Sequence, residues 1–214
     1  MIALFGGTFD PIHVGHVAAA RAAARILPVS TVRLIVAASP YHKISDGIEV
    51  TGAEHRLKMV QLACEGLPRL VADGSELGRV GASYTVELLE RRREENHRER
   101  RVWVIGSDAF ADVTSWYRWQ EVFALTNFLV FRRRGHQAAW PAELSRWLAD
   151  REVTRIDGRR HGQVMVVRED LPEVSSTAIR RLLASGGNCE HLLPLGVSTY
   201  IKNHHLYTGS RLAS

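Results

Sequence analysis

Six short apolar, largely β-branched runs alternate along the chain with segments of helical periodicity, and this alternation restricts the fold more than any other feature. The runs are residues 2–5, 32–37, 70–72, 102–105, 128–131 and 164–167. Residues 14–26, 54–65, 83–95, 120–124, 141–149 and 177–183 carry apolar positions at helical spacing. Such a pattern predicts an α/β fold: a doubly wound, mainly parallel sheet with helices on its faces. In sheets of this kind ligands bind beyond the carboxyl ends of the strands. Loops are expected at residues 39–52, 74–82 and 155–162, and the tail from Ser210 is expected to be disordered.

The most informative chemistry follows the first run. Residues 6–16 read Gly6-Gly7-Thr8-Phe9-Asp10-Pro11-Ile12-His13-Val14-Gly15-His16. A buried strand runs into a glycine turn, and two histidines sit three residues apart where a helix begins, so both imidazoles share one helix face. Helix starts favour anions through free N–H groups and the helix dipole, and glycines let backbone approach a ligand. A glycine pair is ordinarily a tight turn, and a histidine near a helix start ordinarily lies on the surface. Strand, glycine pair, threonine and H-x-G-H in that order point instead to a phosphate site with two hydrogen-bonding or cationic groups aimed into it. Neither a Walker G-K-[ST] nor a G-x-G-x-x-G fingerprint is present.

Ser175-Ser176-Thr177 opens a later helix, with Arg180 one turn further. One hydroxyl is accounted for as an N-cap; the others with Arg180 suggest a second phosphate-binding helix start. Lys43 follows His42 beyond the second strand, near the first glycine turn in a doubly wound sheet, and either neutralises a leaving pyrophosphate or is an ordinary loop lysine. Asp108, after Gly106, either accepts from a ribose or caps the next helix. Of Trp116, Tyr117 and Trp119, one tryptophan is expected in the core and another is free to stack on a flat heteroaromatic ring. Thr85 either caps its helix or bonds a substrate, the cap being slightly favoured.

The chain has 214 residues, enough for one generous domain, and a net charge of +5, which favours anionic ligands. The arginine-rich stretch 91–101 also holds Glu94, Glu95 and Glu99 and reads as a solvated face; nucleic acid is not expected, for want of aromatic interleaving. No stretch reads as a membrane span or a leader, and Cys64 and Cys189 form neither a disulfide framework nor a zinc pattern, so a cytoplasmic protein is expected.

Taken together these residues resemble the bacterial nicotinate mononucleotide adenylyltransferases, of the nucleotidyltransferase superfamily that carries H-x-G-H. The match runs through GGTFDPIHVGH, His42-Lys43, Arg56 with Met59, Ser83-Tyr84-Thr85, Gly106-Ser107-Asp108, Trp116-Tyr117, Arg132-Arg133, the stretch 175–180, and the closing Leu193-Pro194 to Leu206-Tyr207. The resemblance implies a Rossmann-like sheet in a single domain over residues 1–208, with a small helical part at 175–208. It implies adenylyl transfer from ATP to nicotinate mononucleotide, with Mg2+ bound through the ATP phosphates. His13, His16, Lys43 and Arg180 would be catalytic. ATP would meet Gly6, Gly7, Thr8, Phe9, Gly106, Asp108, Ser176 and Thr177, and the mononucleotide Thr85, Trp116, Tyr117 and Arg133. Two positions depart from the family pattern: Tyr41 stands in a usual Pro-Pro-His-Lys, and Arg134 in a usual Arg-Pro-Gly. Another acceptor (nicotinamide mononucleotide or phosphopantetheine), a non-catalytic nucleotide-binding module, and a homo-oligomer all stay open.

Overall fold

The computed structural model describes residues 1–39, 50–79, 81–132, 140–158 and 161–208. Among them, six strands form one sheet: β1 (Ile2–Gly7), β2 (Val32–Val36), β3 (Leu70–Asp73), β4 (Arg101–Gly106), β5 (Asn127–Arg132) and β6 (Val164–Arg168). Their order is β3-β2-β1-β4-β5-β6, and every pairing is parallel. The helices are α1 (Val14–Ile26), α2 (Ala53–Cys64), α3 (Thr85–Glu95), α4 (Ser107–Ala111), α5 (Trp119–Leu125), α6 (Ala142–Leu148), α7 (Ser176–Ala184) and α8 (Leu195–Asn203). The chain winds outward from β1 to β3, returns to β4 and winds the other way, which is the doubly wound topology.

Strand parity sorts the core into two layers. Ala3, Val32, Leu34, Val36, Val102, Val104, Leu129 and Phe131 face one cluster, completed by α1, α2, α7 and α8. Ile2, Leu4, Ile35, Trp103, Ile105, Phe128 and Val130 face the other, completed by α3, α4, α5 and α6. Helix α1 lies close because its buried face is alanine (Ala19, Ala20, Ala22, Ala23 and Ala24), which also favours helix intrinsically. Arg21 and Arg25 stay exposed on the outer side.

The crevice between the two halves has a cause in the register. The β1–β2 ladder runs to Gly7↔Val36, but the β1–β4 ladder stops at Leu4↔Trp103. The last three residues of β1 therefore part from β4, at the topological switch point.

The structure corrects two expectations. Gly6 and Gly7 end β1 rather than form the turn. The stretch 91–101 is only partly a solvated face. Arg101 is buried and donates to the carbonyls of Arg92 and, at 2.7 Å, Asn96. Arg92 pairs with Asp73 at 2.5 Å and Arg91 pairs with Glu76. Asp73 and Glu76 are buried carboxylates at the end of β3, and a buried charge needs a partner. Burial raises the Asp73 pKa, but Ser75, Arg92 and Arg33 outweigh it and hold the carboxyl below its ordinary range.

Candidate active site

The two glycines are dictated by close approach, since neither has a positive φ. A Cβ on Gly6 would lie 2.5 Å from Cζ2 of Trp103, and one on Gly7 would lie 2.8 Å from Cζ of Phe9. The turn itself passes through Phe9, whose φ of 51° lies in the left-handed region. Its ring is 2% exposed and stands edge-on to His16 at 5.1 Å between centroids, so the side chain supports His16 from behind.

His13 is the N-cap of α1, and His16 is its third residue. The Nδ1 of His13 accepts from the His16 amide at 3.4 Å, and the Nδ1 of His16 accepts from the His13 amide at 3.3 Å. This is a capping box built from two imidazoles in place of the usual hydroxyl and carboxylate. The rings stack with centroids 3.7 Å apart and planes 25° apart. A ring that accepts at Nδ1 carries its proton on Nε2. Each histidine can therefore donate one N–H from its far nitrogen. A Cβ on Gly15 would come within 3.0 Å of the Pro172 carbonyl and 3.1 Å of the His13 ring, so the glycine of H-x-G-H keeps that ring in place.

The start of α7 folds back on the same turn. Ser175 caps α7, accepting from the Ala178 amide at 3.1 Å, which accounts for one hydroxyl as anticipated. Ser176 donates to the Pro11 carbonyl at 3.0 Å. Arg180 donates to the Asp10 carbonyl at 2.7 Å and to the Thr177 hydroxyl at 3.4 Å. Tyr207 donates to the Asp10 carboxylate at 2.7 Å; burial and that carboxylate push its phenol pKa well up.

A cavity of about 740 Å³ opens over the crevice, within the size range of small-molecule sites. Its wall includes Gly6, Gly7, His13, His16, Thr85, Gly106, Asp108, Trp116, Ser176 and Thr177. Thr8, Phe9, Tyr117 and Arg180 are not on that wall; Tyr117 is instead exposed and packs on Tyr84 at 4.8 Å. Lys43 and Arg133 lie outside the described residues, as do Tyr41 and Arg134. The capping roles weighed for Thr85 and Asp108 are not what forms: Tyr84 and Gly106 occupy the N-cap positions, with no side-chain cap bond at either helix. Trp119 is half-buried and packs on the core against Trp147 and Phe123, and Trp116 faces the cavity.

Trp103 was not anticipated as a wall residue. It is 5% exposed, touches the cavity, and meets Trp116 edge-on with centroids 6.5 Å apart. Strand parity carries the signal: Leu4, Gly6 and Trp103 share a face, so a glycine at position 6 leaves room for an indole across the crevice. Arg132, which covers the Trp140 ring at 4.8 Å, also reaches the wall.

Paired imidazoles in one cavity at the switch point of a doubly wound sheet, beside an aromatic wall, define a nucleotide-handling α/β protein. The sequence profile described as cytidylyltransferase-like matches residues 4–182. A probable nicotinate-nucleotide adenylyltransferase of Dechloromonas aromatica is 37% identical over 98% of each chain. One of Yersinia pestis is 36% identical over 98% of this chain and 96% of its own. Among solved structures, Plasmodium falciparum nicotinic acid mononucleotide adenylyltransferase complexed with NaAD superposes with a TM-score of 0.73 at 18% identity, covering 96% of both chains. The chain belongs to the cytidylyltransferase-like family and, within it, to the nicotinate-nucleotide adenylyltransferases.

Proposed function

We propose that the protein transfers the adenylyl group of ATP to nicotinate mononucleotide, giving deamido-NAD and pyrophosphate in NAD biosynthesis. The observation that carries this is the stacked pair His13 and His16, held by their own main chain on the wall of one cavity with Trp116 and Thr85.

In this reading the mononucleotide phosphate attacks the α-phosphorus of ATP and pyrophosphate leaves. The attacking phosphate is already ionised at neutral pH, so the enzyme needs no nucleophile of its own. Catalysis is then positioning and charge stabilisation. The Nε2–H groups of His13 and His16 donate to the α-phosphoryl oxygens as negative charge grows there. The amides after Gly7 and at the start of α1 cradle the triphosphate, and the hydroxyls of Ser176 and Thr177 border it. Lys43 and Arg180 balance the departing pyrophosphate. Gly106 and Asp108 border the adenosine. Trp116 stacks on the pyridine ring, with the Thr85 hydroxyl and the backbone at Tyr117 near its carboxylate, and Arg133 near the mononucleotide.

Among the described residues no three His, Cys, Asp or Glu side chains converge as a metal cage. Magnesium would arrive on the nucleotide and keep phosphate oxygens and water as ligands. Such an ion, when bound, offsets charge on the phosphates. We take residues 1–208 as one catalytic unit, because Ser176, Arg180 and Tyr207 all bond to the turn after β1. No helix among the described residues is long and apolar enough to cross a membrane. We place the reaction in the cytoplasm, where ATP is at hand and thiols such as Cys64 and Cys189 stay reduced.

The test is pyrophosphate release from ATP with nicotinate mononucleotide, nicotinamide mononucleotide or phosphopantetheine as acceptor. The highest kcat/KM is expected with nicotinate mononucleotide. Preference for another acceptor overturns the substrate, and ATP binding without release for any acceptor overturns the enzyme.

A further inference from the structure

Arg56 sits in the first turn of α2 and is 1% exposed, although it carries a charge. Its guanidinium bonds to main chain throughout. Nε donates to the Thr51 carbonyl at 2.7 Å, and Nη1 donates to the carbonyls of Thr8 at 2.8 Å and Ala37 at 2.7 Å. Nη2 donates to the Ala38 carbonyl at 3.1 Å. Those oxygens belong to three separate segments: the turn after β1, the end of β2 and the approach to α2. A planar fork with fixed N–H directions holds such segments at set positions, as a flexible ammonium does not. Burial lowers the Arg56 pKa, and the Asp10 and Tyr207 oxygens act against that shift.

The contact with Thr8 holds the turn that leads from β1 into His13 and His16. The next residues are held from the other side, with Arg180 on the Asp10 carbonyl and Ser176 on the Pro11 carbonyl. Thr8 is the residue of this turn that Arg56 grips.

We propose that Arg56 is a positioning residue for adenylyl transfer: through the Thr8 carbonyl it fixes the turn after β1 that leads into His13 and His16 on the cavity wall. The inference rests on the function proposed above. It assigns Arg56 no contact with substrate.

Arg56→Lys keeps the charge and loses the fork. In the full chain, its kcat is expected to fall on the order of 100-fold, the scale of a small misplacement of reacting groups, with KM for the mononucleotide unchanged. A wild-type kcat overturns the proposal. So does a kcat loss accompanied by an equal rise in mononucleotide KM and a collapsed melting temperature, which marks a purely structural role. A second measurement needs no variant to fold. In 15N-labelled wild type, the Arg56 Nε–H, held on the Thr51 carbonyl, should exchange slowly with solvent, and a rapidly exchanging Nε–H overturns the proposal. Wild-type protein that releases no pyrophosphate sinks the functional reading instead, and the Arg56 exchange is read without turnover.

Discussion

His16 has two separable duties, and substituting it in two ways tells them apart. Its Nδ1 accepts from the His13 amide at 3.3 Å, the return bond of the capping box, and its Nε2–H is the proposed donor to the α-phosphate. Its ring also stacks on His13 at 3.7 Å and packs against Phe9 at 5.1 Å. His16→Ala removes both duties and the ring packing. Loss of one such hydrogen bond costs about 0.5–1.5 kcal/mol, and a chain of this size loses about 2–4 °C of melting temperature per kcal/mol. The return bond alone therefore accounts for about 1–6 °C, and lost packing adds to it. Loss of one preorganised donor lowers turnover about 100- to 1000-fold. His16→Asn places an amide oxygen where Nδ1 stood, so the return bond survives while the Nε2–H is gone. Melting temperatures should order wild type above Asn above Ala, with turnover equally low in both variants. Thermal melts and pyrophosphate release on the same preparations measure this. An Asn variant within about tenfold of wild-type turnover would refute the donor role, and equal melting temperatures for the two variants would refute the return bond.

Three further outcomes follow from the geometry. Gly6→Ala should destabilise by about 1–3 kcal/mol through overpacking against the indole, and Trp103→Phe should relieve part of that in a double-mutant cycle; no coupling in chemical denaturation would contradict the contact. Trp116→Ala should raise the mononucleotide KM about 5- to 150-fold, the range for a lost aromatic stack, and leave the ATP KM near normal; an unchanged mononucleotide KM removes it from the pocket. Asp73 titrates below its unfolded value in the folded chain, so its ionised form stabilises at neutral pH and that stability is lost as pH falls through its folded pKa. Asp73→Asn should thus narrow the stability gap from wild type in acid, measured by denaturant melts at neutral and acid pH, and a gap that widens in acid contradicts this.

Much of the architecture was legible in the sequence because strand and helix periods differ. All six strands appear where the apolar runs predict them, each shifted by a residue or two at its ends. The short α4 was missed: five residues carry too little periodicity to register. The histidine pair was legible from spacing, but their reciprocal cap was not, since cap rules anticipate hydroxyls and carboxylates. Trp103 was legible only as part of the apolar run 102–105, because burial in a strand and lining a crevice look alike along the chain. Arg101 read as solvated because the acidic side chains and carbonyls that surround such a residue come together only when the sheet forms. Arg56 is the strongest case, with its carbonyl partners at positions 8, 37, 38 and 51.

The most direct measurement is a crystal structure of the protein with a non-hydrolysable ATP analogue. The α-phosphate should accept hydrogen bonds from Nε2 of both His13 and His16, with the adenine on the Gly106 side of the crevice. A triphosphate bound away from the imidazole pair, or reached by neither Nε2, would contradict the account.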